Sequence, residues 1–121
     1  TSVVNTLDYS DFEVNHLDNY NQTLVVSNDV HFEYFYSKYC SHCASIKSDV
    51  LSFFDGLEDV PFYMIDVNEI EGTNSISELE GVPFLAIVAN NEIVETYAGS
   101  LSIPAFIESY LNGDIDLTTY E

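Results

Sequence analysis

The sequence predicts a single α/β domain, in which a mixed sheet of four to five strands carries helices on both faces. The chain has 121 residues, which suits one domain rather than two. Helical and strand patterns follow the order α-β-α-β-α-β-β-α, and a helix between two strands implies parallel pairing. The last two strands form a hairpin and add an antiparallel pair. The sequence leaves two candidates for the first strand of the sheet, residues 3–4 and residues 24–26.

The first half of the chain contains two predicted helices around one strand. Ser10 and Glu13 have capping-box spacing and open an amphipathic helix over residues 11–25. Residues 30–36 are β-branched and aromatic with apolar groups facing both ways, which predicts a central strand. Residues 40–55 form a helix with one apolar face. That face consists of Ile46, Val50, Leu51 and Phe54.

The second half of the chain begins with a buried strand at residues 62–67. A short helix is expected at residues 75–79. Residues 84–89 and 93–97 form a hairpin around Asn90-Asn91, because asparagine tolerates the positive φ angles that a tight turn requires. The sheet is therefore expected to end on an antiparallel pair of strands.

The final helix is expected to start at Ser102 as its cap, with Pro104 in the first turn and Gly113 at its end. The domain spans residues 1–121, with a core at about residues 10–112 and an acidic tail at 113–121. No linker-like or repetitive segment divides it, so we expect one domain and a monomer.

The charge of the chain is strongly one-sided. It has 21 acidic residues and two lysines, for a formal net charge of −19. Such a field repels phosphate backbones and anionic headgroups, which excludes nucleic-acid partners. No apolar run reaches the roughly 18 residues of a membrane helix, so no membrane insertion is expected. The two lysines, Lys38 and Lys47, flank the cysteine motif and are expected to make that region less negative.

The two cysteines lie in one motif, Cys40-Ser41-His42-Cys43, where the central strand meets a helix. Free N–H groups and the dipole at a helix N-terminus stabilise a thiolate at Cys40. Cys43 lies one turn further on, so Cys40 can attack a substrate disulfide and Cys43 can resolve the mixed disulfide. Ser41 and His42 are expected to tune this pair, His42 by a hydrogen bond or partial positive charge on the Cys40 thiolate.

Three alternative roles for the cysteine pair fit the sequence less well. A zinc site usually needs four ligands, and the chain has no second cysteine pair and no suitably spaced histidines, so no metal is expected. A structural disulfide that closes so short a loop removes little entropy from the unfolded chain. Two inert buried thiols at this spacing would be a coincidence. The pattern therefore favours redox chemistry.

Residues 34–43 resemble the active-site strand and helix of the thioredoxin superfamily, and residues 81–83, Gly-Val-Pro, resemble its cis-proline loop. Pro83 follows Cys43 by 40 residues and Gly99 follows Pro83 by 16, both close to the spacing of that family. The resemblance covers about residues 10–112 and implies the thioredoxin fold. The motif is similar to that of bacterial extracytoplasmic thioredoxin-like proteins, including bacteriocin transport accessory proteins, and to catalytic domains of protein disulfide isomerases.

The resemblance implies a thiol–disulfide oxidoreductase, leaning toward oxidation or isomerisation, that needs no cofactor beyond its redox-active cysteines. Its partners would be protein or peptide thiols and disulfides and a redox partner protein, held near Tyr39, Val82, Pro83 and Gly99. Val82 would pair with an extended substrate as an added strand. The alternatives are an extracytoplasmic reductase and a non-catalytic binding or chaperone module.

The same resemblance implies a location outside the cytosol, either secreted or cell-surface in bacteria or in the endoplasmic reticulum lumen. The sequence starts at Thr1 without a leader-like stretch, so we expect that any export signal has been removed ahead of it.

Two positions depart from the family pattern. The buried acid that thioredoxins carry six residues before the first cysteine is Tyr34 here, and its partner lysine aligns with Phe62. Replacing both halves avoids an unpaired buried charge, but it removes the usual base for Cys43. Glu33 is adjacent, yet strand alternation predicts that it faces the opposite side of the sheet.

Overall fold

Four strands form one mixed sheet in the order β2-β1-β3-β4. The computed structural model describes residues 7–17, 30–69, 81–90 and 92–120. The strands are β1 His31–Tyr36, β2 Phe62–Asp66, β3 Phe84–Ala89 and β4 Glu92–Ala98. β1 pairs parallel with β2 and antiparallel with β3, and β3 pairs antiparallel with β4. The predicted α/β class and the central position of β1 are confirmed.

The two α-helices, α1 Ser41–Asp55 and α2 Gly99–Leu111, pack on one face of the sheet. We call this the redox face; on β1 it consists of Phe32, Tyr34 and Tyr36. All four apolar residues predicted for α1 are buried there. The opposite, rear face of β1 consists of His31, Glu33 and Phe35. None of the described helices is long and apolar enough to span a membrane.

The first predicted helix is wrong in type and in its start. The structure has a 3₁₀ helix at Tyr9–Asn15, with the carboxylate of Asp8, not Ser10, accepting from the Tyr9 N–H. It ends at His16, whose backbone is extended and bridges to Met64 of β2. Tyr9 and Phe12 are both buried, and their spacing of three matches a 3₁₀ turn. The predicted continuation beyond residue 17 lies outside the described residues.

The last helix begins four residues earlier than predicted, counted from cap to cap. Gly99 has a φ of +93°, which glycine adopts without strain, and this turns the chain from β4 directly into α2. The cap is therefore Ala98 rather than Ser102, and Pro104 lies inside the helix rather than in its first turn. Gly113, with a φ of +82°, follows the end of α2 as predicted.

The remaining predictions, for the hairpin turn, the short helix, the first strand and the tail, have different outcomes. Asn90 has the expected positive φ of 53° in the hairpin turn, while Asn91 lies outside the described residues. The predicted short helix at 75–79 and both candidates for the first strand also fall outside them. The predicted acidic tail is more than a solvated extension: it contains a 3₁₀ helix, Leu117–Tyr120. Apolar residues of this segment pack against the core, namely Ile115, Leu117 and Tyr120.

Candidate functional site

Cys40 occupies the N-cap of α1, directly after the turn that follows β1. Its backbone N–H donates to the Ser37 carbonyl at 3.2 Å, which fixes the turn. Its Sγ accepts a hydrogen bond from the backbone N–H of Cys43 at 3.1 Å. The sulfur therefore lies where unpaired N–H groups and the helix dipole favour a negative charge.

The two thiols differ in their exposure. Both cysteines are free; Cys40 is partly exposed, whereas Cys43 is fully buried. Burial, followed by the hydrogen bond with Cys40, raises the pKa of the Cys43 thiol to about 12. Of the two sulfurs, therefore, Cys40 is the accessible one and Cys43 lies behind it.

The loop before β3 lies against the redox pair. The Val82–Pro83 peptide bond is cis. The Cys40 S–H donates to the Val82 carbonyl at 3.5 Å, and the Pro83 carbonyl accepts from the Gly99 N–H at 3.0 Å. The structure thus brings Cys40, Val82, Pro83 and Gly99 to one end of the sheet. Tyr39, 89% exposed, lies next to Cys40 at the same end.

The two residues between the cysteines are exposed at the start of α1. The His42 ring points toward α2, where its Nδ1 lies 3.5 Å from Ser100 Oγ. The ring of His42 therefore pairs with Ser100 and does not make the expected hydrogen bond to Cys40. Tuning by the charge of His42, and any role of Ser41, stay predictions.

The arrangement of a helix-capping cysteine, a buried second cysteine and a cis-proline loop is accompanied by a family match. The family model described as Thioredoxin matches residues 11–111. The chain belongs to the thioredoxin family. Its general chemistry is therefore thiol–disulfide exchange with protein thiols and redox partners. None of the curated proteins matches the chain.

Solved thioredoxins share the fold at low identity. Mitochondrial thioredoxin 3 from Saccharomyces cerevisiae, in its oxidised form, is 19% identical with a TM-score of 0.69, over 86% of this chain and 98% of that one. Fasciola hepatica thioredoxin is 15% identical with a TM-score of 0.66, over 88% of this chain and 99% of that one. Malassezia sympodialis thioredoxin is 19% identical with a TM-score of 0.66, over 82% and 88%. At such identities the likeness shows the fold alone.

The position of the thioredoxin acid is occupied by a neutral side chain. Tyr34 is fully buried on the redox face, and its hydroxyl has no hydrogen-bond partner among the described residues. Phe62 is predicted at the position of the partner lysine, but it lies opposite Phe32 in the sheet register, and the residue opposite Tyr34 is Met64. Phe62 stacks on Phe54 with ring centroids 4.4 Å apart. Glu33 is buried on the rear face, where its Oε2 lies 2.8 Å from His31 Nε2. The expected orientation of Glu33 therefore holds, and its carboxylate is not on the side of Cys43.

A histidine–tyrosine pair near the redox face is absent from the sequence-based candidates. His16 Nδ1 lies 2.9 Å from the Phe12 carbonyl, and its Nε2 lies 2.7 Å from Tyr36 Oη. A carbonyl only accepts, so Nδ1 carries the proton and Nε2 accepts from the Tyr36 hydroxyl. Tyr36 in turn stacks on Tyr9 with centroids 3.9 Å apart. These partners lie up to 27 residues apart in the chain, which no local spacing reveals.

The two lysines line a cleft of about 600 Å³ beside the redox pair. Each faces a carboxylate: Lys47 Nζ lies 2.6 Å from Asp8, and Lys38 Nζ lies 3.5 Å from Glu69. Their charges are therefore locally balanced, and the cleft is not a cationic site. Over the ranges that the structure describes, no three histidine, cysteine, aspartate or glutamate side chains cluster so as to hold a metal ion.

Proposed function

We propose that this protein is a thioredoxin-fold oxidoreductase that exchanges disulfides with exported proteins and leans toward oxidation or isomerisation. The observation that carries the proposal is the asymmetry of the redox pair. Cys40 is partly exposed and caps α1, whereas Cys43 is buried one turn behind it. This asymmetry supports a nucleophile and a resolving thiol with separate tasks.

The exchange proceeds in two steps that balance. In the oxidising direction, a substrate thiolate attacks Cys40 Sγ of the Cys40–Cys43 disulfide. A substrate–Cys40 bond forms, and the sulfur of Cys43 leaves with the electron pair and takes up a proton. A second substrate thiolate then attacks the substrate sulfur of the mixed disulfide, and Cys40 leaves as a thiolate. The substrate loses two electrons to the cysteine pair, and the reverse sequence is the reductase reaction.

The direction of exchange is supported by the charges around Cys40. The first turn of α1 donates the Cys43 N–H to the Cys40 sulfur, and His42 lies in the same turn. Both features favour the reduced, thiolate form, and a stabilised reduced form makes the disulfide a better oxidant. The resemblance of the motif to extracytoplasmic proteins and isomerase domains supports a location outside the cytosol, where such a disulfide persists.

The substrate surface is proposed at the loop of Val82 and Pro83. The Val82 carbonyl lies next to Cys40 Sγ, so an extended peptide that pairs with this backbone would present its own sulfur to Cys40. The exposed ring of Tyr39 borders the same place. Gly99 supports the loop through its hydrogen bond to the Pro83 carbonyl.

The reduction potential of the Cys40–Cys43 pair tests the direction. The protein is equilibrated with glutathione mixtures, trapped by alkylation and read by mass spectrometry. We expect roughly −200 mV or higher, nearer to isomerases than to thioredoxin at about −270 mV. A value at or below that of thioredoxin would reverse the proposal in favour of a reductase.

The Cys40→Ser variant separates catalysis from mere binding. Without the attacking sulfur, we expect disulfide exchange with a fluorescent model peptide to fall to the uncatalysed rate, a loss of several orders of magnitude. Cys43→Ser is the matched control, because it should still form the mixed disulfide on Cys40 but not resolve it. Retention of full exchange by Cys40→Ser would show that the cysteines do not carry the activity.

A further inference from the structure

The Tyr34 hydroxyl is a buried hydrogen-bond donor without a partner in the described part of the chain. The side chain is 0% exposed, so bulk water does not reach it. Leaving such a group unpaired opposes folding, and nearly all buried polar atoms in proteins are paired. A phenylalanine would fill the same space without this penalty, which raises the question of what the oxygen is for.

Tyr34 shares a buried cluster with the second cysteine of the redox pair. Tyr34 and Cys43 belong to one buried cluster on the redox face, and both are fully buried. The ring of Tyr34 lies between Tyr36 and Phe54, with centroids 6.0 Å away in each case. Burial raises the pKa of Tyr34 above its ordinary value, and the charges of Tyr9 and Cys43 raise it further. Cys43 is also the neighbour whose charge changes during exchange.

We propose that the Tyr34 hydroxyl donates a hydrogen bond to the Cys43 thiolate that exists only during disulfide exchange. This inference rests on the function proposed above. When substrate attacks the Cys40–Cys43 disulfide, Cys43 leaves as a thiolate in a buried place. In the reverse direction, Cys43 must lose its proton before its sulfur attacks Cys40 of the mixed disulfide, forms the Cys40–Cys43 bond and expels the substrate thiolate. In both directions the Tyr34 hydroxyl, otherwise unpaired among the described residues, donates to the negatively charged sulfur of Cys43.

This role differs from that of the acid found at the same position in thioredoxins. A carboxylate there can accept the proton of the second cysteine, but it also adds a negative charge beside the thiolate. The phenol of Tyr34 is neutral and stays protonated, because its pKa is raised. It therefore stabilises the charge without holding the proton, which passes to solvent.

The test uses 5,5′-dithiobis(2-nitrobenzoate) with the reduced protein in a stopped-flow instrument. Cys40 attacks the reagent and releases one thionitrobenzoate, and Cys43 then attacks the mixed disulfide on Cys40 and releases a second. The first phase reports on Cys40 and the second on Cys43. For Tyr34→Phe we expect an unchanged first phase and a second phase about ten-fold slower, because a hydrogen bond to a charged group is lost. The pH midpoint of the second phase should also rise.

Tyr36→Phe is the matched control. Tyr36 is two residues further along the same strand, equally buried, and its hydroxyl is already paired with His16. Its loss should leave the second phase within two-fold of the unmodified protein. A second phase that slows equally in both variants would mean that Tyr34 acts only through packing, which overturns the inference.

The outcomes separate the two proposals. An unmodified protein that releases no second thionitrobenzoate would refute the proposed function itself. An unmodified protein with both phases, together with a Tyr34→Phe variant that resolves at the same rate and pH midpoint, would refute only the role of Tyr34.

Discussion

The two faces of β1 bury polar groups in different ways. On the rear face, His31 and Glu33 are both fully buried, and Glu33 Oε2 lies 2.8 Å from His31 Nε2, while Glu33 Oε1 has no partner among the described residues. On the redox face, Tyr34 is equally buried, but its hydroxyl has no partner within the described ranges. Each face therefore leaves one buried oxygen unpaired, but the Glu33 carboxylate keeps a partner on its other oxygen, whereas the Tyr34 side chain has none in the described part of the chain. Of these two oxygens, only that of Tyr34 belongs to the face that carries Cys43.

The comparison also shows how one strand serves two purposes. Side chains alternate along β1, so neighbouring residues belong to different environments. Glu33 and Tyr34 are adjacent in sequence, yet only Tyr34 lies on the side of Cys43. A carboxylate at position 33 rather than position 34 therefore lies on the face of the sheet away from Cys43. The rear pair is expected to affect stability alone, whereas Tyr34 on the redox face is expected to affect reactivity as well.

Alkaline pH should have the largest effect on the stability of the protein, because it acts on the tyrosines of the redox face. Burial raises the pKa of Tyr9, Tyr34 and Tyr36 well above the ordinary 10. The unfolded chain loses these protons from about pH 10 upward while the folded chain keeps them, so the stability that these three hydroxyls contribute is intact below pH 10 and falls above it. Each tyrosine contributes about 1.4 kcal/mol per pH unit, or about 4 kcal/mol for the three at pH 11. Urea unfolding at pH 8 and pH 11 measures the loss.

A double variant, Tyr34→Phe with Tyr36→Phe, checks the origin of that loss. It removes two of the titrating hydroxyls, so the loss of stability between pH 8 and pH 11 should shrink by about 3 kcal/mol. An undiminished decline would assign the pH effect to other groups.

Breaking the pair on the rear face should have the next largest effect. Glu33→Leu leaves the buried His31 without this acceptor and should lower the free energy of unfolding by about 3 kcal/mol. The double variant His31→Phe with Glu33→Leu should recover most of that loss, since an apolar pair needs no partner. Urea titrations of the three proteins make the comparison. A double variant as unstable as the single one would mean that packing, not the polar pair, holds this face.

The smallest expected changes in stability have opposite signs at Tyr34 and Tyr36 of the redox face. Tyr34→Phe removes an unpaired hydroxyl and should stabilise the protein by about 1 kcal/mol. Tyr36→Phe removes the donor to His16 and should destabilise it by about 1 kcal/mol. Thermal unfolding of the two variants measures both changes. A loss of stability in Tyr34→Phe would show that its hydroxyl has a partner in the resting protein.

The elements that could be predicted from the sequence are those with local causes. Periodicity predicts β1 from its aromatic and β-branched residues and predicts α1 from its apolar face. Cys40 and Cys43 identify the site because their spacing matches one helical turn. The position of Pro83 near Cys40 follows only from the family resemblance, since 43 residues separate them in the chain.

The remainder depends on tertiary contacts that no local pattern carries. The pairing of His16 with Tyr36 joins the N-terminal segment to β1, so neither residue signals it alone. A 3₁₀ helix replaces the predicted α-helix because His16 leaves the helix to bridge with Met64 of β2. The early start of α2 depends on the positive φ of Gly99, a backbone property that the sequence pattern does not reveal.

The tyrosines around the redox pair also give the protein an optical property. The chain has nine tyrosines and no tryptophan, so its ultraviolet emission comes from phenol rings alone. Tyr9, Tyr34 and Tyr36 lie in the same buried cluster as Cys43, and Tyr9 and Tyr36 are stacked. A disulfide quenches the excited state of a nearby phenol more strongly than two thiols do. Oxidation should therefore dim the fluorescence of the protein, so that its redox state becomes visible in a cuvette without any added dye.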